Sequence, residues 1–255
     1  MEQGAWLVEA LTTFGGSVAS IVPPVFEAYA RVFHPVDGPV PRWSDVAAHN
    51  GRIAHPEMQY HLIRCRPGEA PPDDECDDGF NDLAEGSGSC PRPELEVLAD
   101  LLAPHTTTPD DCWFAAWEGW GQMGSGRREL TTSGRGAAVS GICPPDVFKG
   151  PRLRLPGRAY VMLQGAVADA AEVYDVLDHQ SPSLWWPADR AWCVATEVDF
   201  GWTYVGGTAE AVGDVLAEAA LEAMVARPTD GISFDADVLN AALDARAGGD
   251  RPFRG

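Results

Sequence analysis

The sequence predicts an α+β fold, with an antiparallel or mixed sheet from the central and C-terminal parts and helices of the N-terminal third covering one face. Three observations carry that expectation. The stretch Leu184 to Thr208, LWWPADRAWCVATEVDFGWTYVGGT, is the densest run of aromatic and β-branched residues in the chain. Short amphipathic segments crowd the first third, and regular βαβ alternation is absent. All 255 residues read as a single α+β domain, interrupted by a polar loop at about 66–93 and a Gly/Arg-rich loop at about 124–158.

The aromatic stretch reads as strand, turn, strand, helix. From Ala191 to Val198, Trp192, Val194, Thr196 and Val198 alternate with Cys193, Ala195 and Glu197, the period of a strand. Asp199-Phe200-Gly201 supplies a turn, and Trp202 to Val205 returns as a second strand. Gly206-Gly207 ends it, and Thr208 is placed to cap a helix with apolar positions from Val212 to Ala223. Trp185 and Trp186 are adjacent bulky rings, so at least one is expected near a surface or cleft.

Earlier in the chain, Ala5 to Phe14 reads as a short helix and Val18 to Val22 as an extended piece ended by Pro23-Pro24. Pro24 to Phe33 reads as a second helix, because Val25, Tyr29, Ala30 and Phe33 share a helical face. Further helices are expected from Ser44 to Gly51, Pro56 to Cys65 and Glu94 to Ala103. Cys112 to Glu118 fits a strand by its aromatic content and a helix by its Trp113, Trp117, Trp120 spacing; the strand is preferred. A strand at Ala159 to Gln164, a helix at Asp169 to Leu177 and a last helix at Asp235 to Ala247 complete the reading.

A formal net charge of −20 and a pI near 4.5 argue against nucleic acid or an anionic membrane as partner, and favour a basic protein or peptide. The N-terminus has no basic leader region and no apolar run reaches eighteen residues, so a cytoplasmic location is expected. Among 18 basic residues the only lysine is Lys149, and with abundant Ala, Gly, Pro and Asp this is the bias of a GC-rich bacterial genome. Six cysteines without a CxxC pair read as free thiols, and no cofactor motif is present.

Four constellations could carry chemistry. Glu197 and Asp199 lie two apart at a strand end, raw material for acid and base work, with Arg190 or Arg158 as an anion clamp. Trp185, Trp186, Trp202 and Tyr204, with Arg158, could line a ligand or partner surface. Asp74, Asp78, Asp82 and Glu85 partly follow a calcium loop, although Cys76 stands where a hard cation wants oxygen. His61, Cys65, Cys76 and Cys90 match no standard zinc spacing. Each also has a plain reading: an ion pair, a core, a solvated acidic loop and unpaired thiols.

Trp185 to Gly207 and Cys112 to Gly121 resemble segments of uncharacterised actinobacterial proteins. That resemblance implies no activity. Two functions remain: a cytosolic protein that engages a protein or peptide through its Trp185/Trp186 surface and acidic loop, or a small-molecule enzyme or binding protein with a carboxylate/Arg/Trp cleft beside the hairpin.

Overall fold

The computed structural model describes residues 3–36, 42–69, 88–119 and 149–249, of which 248 and 249 are described as backbone alone. Eight strands are present among them: β1 (Ala28–Phe33), β2 (Cys112–Trp117), β3 (Arg152–Leu155), β4 (Arg158–Gly165), β5 (Leu184–Pro187), β6 (Cys193–Thr196), β7 (Trp202–Gly207) and β8 (Glu222–Ala226). They form one open antiparallel sheet in the order β3-β4-β2-β5-β6-β7-β1-β8. The helices are α1 (Ala5–Ala10), α2 (Trp43–His49), α3 (Tyr60–Ile63), α4 (Arg92–Leu102), α5 (Ala170–Val176), α6 (Ala209–Ala217) and α7 (Val238–Gly249). The architecture is therefore α+β.

The β6–β7 hairpin forms with Thr196 opposite Thr203, and Thr208 accepts the Ala211 N–H at the start of α6 at 3.2 Å. Gly206 and Gly207 lie inside β7 rather than after it. A Cβ on Gly206 would stand 2.6 Å from Cδ2 of Phe26 and 3.0 Å from Cε1 of Tyr29, so the missing side chain admits two rings.

Several further expectations fail. Ala28–Phe33 is a strand and not a helix, held between β7 and β8 with Phe33 opposite both Trp202 and Glu222. Partners on both edges satisfy its backbone, and its residues divide by parity: Tyr29 and Phe33 join one core layer, Ala30 and Val32 the other. Val18–Ser20 is a 3₁₀ turn rather than an extended piece, and the helix after Thr208 stops at Ala217, leaving Glu222–Ala226 as an edge strand. β3 begins inside the stretch read as a Gly/Arg-rich loop.

Both faces of the sheet are covered. Trp6 and Leu7 of α1, Trp43 and Val46 of α2 and Ile63 of α3 pack on one face with Trp113, Trp186 and Tyr204. Residues of α4, α5 and α6, including Leu95, Val173 and Val212, pack on the other with Phe114, Trp185 and Val205. Consecutive residues of a strand point to opposite faces, so a sheet covered twice buries both members of a Trp pair. Trp185 and Trp186 are each 1% exposed, so neither ring forms a surface, and of the two only Trp186 reaches the wall of a cleft. Burying one such ring is favourable by roughly 4–6 kcal/mol before conformational entropy is counted.

Candidate functional site

The segment 3–22 runs along the α1 face of the sheet and leaves a depression at either end of β4 and β5. The two differ in what their charges are doing.

At the Arg158 end, Leu11, Phe14, Leu155, Arg158, Tyr160 and Glu197 surround a narrow slot of about 340 Å³, its mouth included. One oxygen of Glu197, a 6% exposed residue, accepts hydrogen bonds from Arg158 Nη2 at 3.0 Å, Arg158 Nε at 3.2 Å and the Val198 N–H at 2.9 Å. Asp199 stands 3.7 Å from the same guanidinium and is largely in solvent. The Phe14 ring lies 4.3 Å from the Arg158 guanidinium carbon, and Trp117 5.2 Å. Burial and the neighbouring Glu197 raise the Tyr160 phenol above its ordinary range. The expected carboxylate pair and one arginine are thus together, but Glu197 is neutralised by Arg158 within a buried ion pair, the plain reading of those residues. Arg190 is not with them.

Arg190 lies at the opposite end, in a wider cleft of about 680 Å³, its mouth included, lined by Gln3, Asp111, Trp113, Gln164, Trp186, Ala188 and Arg190. Sheet register assembles it, because Trp113 on β2 faces Trp186 on β5 and Gln164 on β4. Trp6 of α1 meets Trp186 edge-on at 6.1 Å. Gln164 Nε2 donates to Asp111 Oδ1 at 2.7 Å. The loop that carries Arg190 is clamped by its neighbour. Asp189 accepts from the Thr107 N–H and hydroxyl at 2.7 Å each, from the Thr106 hydroxyl at 2.8 Å and from the Ala191 N–H at 3.1 Å. Partial burial raises the Asp189 pKa, but these bonds outweigh it and hold the carboxyl below its usual range. Arg190 takes φ +59°, a left-handed conformation that costs a non-glycine residue on the order of 1 kcal/mol. Its guanidinium stands 5.7 Å from the Trp6 ring, and no described carboxylate pairs with it.

Trp202 and Tyr204 lie beside a cation of the chain itself, Arg31, which stands opposite Tyr204 in the β1–β7 register. The Arg31 guanidinium, 1% exposed, sits 3.8 Å from the Trp202 ring and 4.7 Å from Phe33, and donates from Nη1 to the Pro56 carbonyl at 2.6 Å. Burial lowers its pKa to about 10. Reading residues 24–33 as a helix hid this arginine, since only a strand places Arg31 on the Tyr29 and Phe33 face. On the opposite face, buried His34 pairs with the Thr203 hydroxyl at 2.9 Å, and Thr203 with Thr196 at 2.7 Å.

A third polar cluster docks α7. Asp237, fully buried, accepts from His55 Nε2 at 2.7 Å, the Gln59 N–H at 3.0 Å, the Asn240 N–H at 2.9 Å and Asn240 Nδ2 at 2.8 Å. His55 Nδ1 accepts the Glu57 N–H at 3.3 Å, which places the ring proton on Nε2. Both ring nitrogens are occupied, so this Asp–His pair is a latch and not a base.

Asp74, Asp78, Asp82, Glu85 and Cys76 lie outside the described residues, as does the Gly/Arg-rich loop up to residue 148. Among the described residues no group of three or more His, Cys, Asp or Glu is arranged to hold a metal, and no helix is long and apolar enough to cross a membrane. Cys112 and Cys193 are free and buried, as expected, whereas Cys65 is disulfide-bonded and so is not the free thiol a zinc set requires. Comparison with known proteins yields no match to a family model, to a curated protein or to a solved structure.

Proposed function

We propose that this chain is a binding protein for a small polar molecule carrying negative charge, with its site in the cleft of Asp111, Trp113, Gln164, Trp186 and Arg190. One observation carries the reading. In a chain of net charge −20, Arg190 has no described carboxylate partner, and the Asp189 clamp and a strained backbone keep it at a cleft of ligand size. An exposed guanidinium of this kind takes a carboxylate or phosphate through paired hydrogen bonds. The aromatic floor and the amides of Gln3 and Gln164 give such a ligand an apolar wall and further polar contacts.

The test is calorimetric titration with a panel of small carboxylates, acidic sugars and phosphate esters. At least one should bind, and Arg190→Gln should weaken it by about 10-fold or more, the loss of one charge-assisted contact worth about 1.5–3 kcal/mol. Binding that survives Arg190→Gln places the site elsewhere.

A second reading, an interaction protein, is favoured by the apolar side chains exposed around the start of α7, Phe234 at 73%, Val238 at 65%, Leu239 at 45% and nearby Ile53 at 43%, and the net charge of −20 would suit a basic partner. It draws on a different surface from the Trp185/Trp186 pair. A pulldown that depends on Phe234→Ser and not on Arg190→Gln supports it over the first. A disulfide at Cys65 suits an oxidising compartment better than the cytoplasm.

A further inference from the structure

The geometry points to a zwitterion as the ligand, a free amino acid or short peptide whose carboxylate meets Arg190 and whose ammonium meets Asp111. This rests on the proposed cleft and narrows what enters it. Asp111 and Arg190 line the same cleft with opposite charges, yet they are not within ion-pair distance of each other. Nor does either find another ionic partner among the described residues: the Asp111 carboxylate has only the Gln164 amide, and the Arg190 guanidinium only the Trp6 ring. Two opposite charges in one cleft ordinarily close upon one another.

Here the scaffold holds them apart. The Asp111 carbonyl accepts the Ala188 N–H at 2.8 Å, and its N–H donates to Thr108 at 3.0 Å, so its backbone is fixed between the two loops. Arg190 is tied by its own N–H to the Pro187 carbonyl at 2.9 Å and by the Asp189 clamp to Thr106 and Thr107. The remaining hydrogen-bonding capacity is segregated in the same way. Asp111 is acceptor-only, and because Gln164 spends an N–H on it, the Gln164 carbonyl oxygen stands as a second acceptor on that side. An ammonium has three donors and no acceptor, which suits this pair; the guanidinium side offers donors alone, which suits a carboxylate. A simple anion would satisfy Arg190 but leave the Asp111 carboxylate with the Gln164 amide alone. A molecule bearing both groups satisfies each wall, with its side chain against Trp113 and Trp186.

The experiment is calorimetric titration of the full chain with the proteinogenic amino acids and with Gly-X dipeptides, each tested alongside its N-acetylated and its C-amidated form. An unblocked compound should bind, and either block should weaken it by at least about 10-fold. Arg190→Gln should abolish the difference between acid and amide, and Asp111→Asn the difference between free and acetylated amine. Both residues are solvent-accessible, and unchanged thermal melts of the two variants confirm folding. Free amino acids binding without dipeptides, or the reverse, identifies which source of the zwitterion is used. The inference is overturned if no unblocked compound binds, or if acetylated forms bind as tightly as free ones. Should an acidic sugar then still bind in an Arg190-dependent way, the cleft survives as an anion site and only the zwitterion is lost; loss of all Arg190-dependent binding removes both.

Discussion

Trp185 and Trp186 are neighbours in the chain and lie in opposite layers of the core, the first stacked 6.0 Å from Phe114 and the second edge-on to Trp6. Each should therefore behave as a core residue. Trp185→Ala and Trp186→Ala are expected to cost about 3–5 kcal/mol each in urea unfolding. A loss below about 1 kcal/mol for either would place that ring at a surface, where a partner could use it.

His34 makes stability sensitive to mild acid. Burial, with Arg31 adding to it, pushes its pKa down to about 3, while the unfolded chain titrates near 6.5. Between those values the unfolded state binds a proton that the folded state refuses. The stabilisation is complete above pH 6.5 or so and is lost as pH falls toward 3, with a slope of up to about 1.4 kcal/mol per pH unit. Unfolding free energies of wild type and His34→Gln at pH 7.5 and pH 5 test this, since the variant should lose that slope.

Asp237 acts in a lower window. Burial raises its pKa, but hydrogen bonds from His55, Asn240 and Gln59 prevail and hold it below the usual carboxylate range. Its contribution is full above the unfolded value of about 3.9 and disappears as pH falls through the folded one. Asp237→Ala should loosen α7 and cost about 1–3 kcal/mol at neutral pH, seen as faster amide exchange over residues 238–247. Unchanged exchange there would mean that the helix is held by packing alone.

Glu222 reaches from β8 to cap α2, accepting the Trp43 N–H at 2.6 Å and the Ser44 N–H at 2.7 Å. It occupies the place a Ser or Asp at the helix start would normally fill. Glu222→Ala is expected to cost roughly 1–2 kcal/mol, and Glu222→Gln less, because the amide oxygen still accepts one bond. Equal losses for both variants would assign the effect to charge rather than capping.

What was legible before the fold was known was local. Alternation at 191–198, the turn at Gly201 and the Thr208 cap each lie within a few residues of what they specify, and β6, β7 and α6 follow them. β1 was misread because a short apolar run has no periodicity of its own strong enough to choose. Its true partners, Trp202 and Glu222, are distant in sequence. The site fared likewise. Arg190 or Arg158 is the anion clamp that the sequence offers beside Glu197 and Asp199, and only Arg158 lies there, paired with Glu197, because Arg190 stands at the other end of β5.

From the chain alone came the α+β class, the acidic charge, the hairpin and the two arginines worth watching, because composition and short-range spacing act without knowledge of distant neighbours. Only the tertiary structure decided that both faces of the sheet are covered, that the tryptophans are core, and that Asp111, Gln164 and Arg190 share a cleft. Those follow from strand register, which is set by backbone hydrogen bonds between residues far apart in sequence.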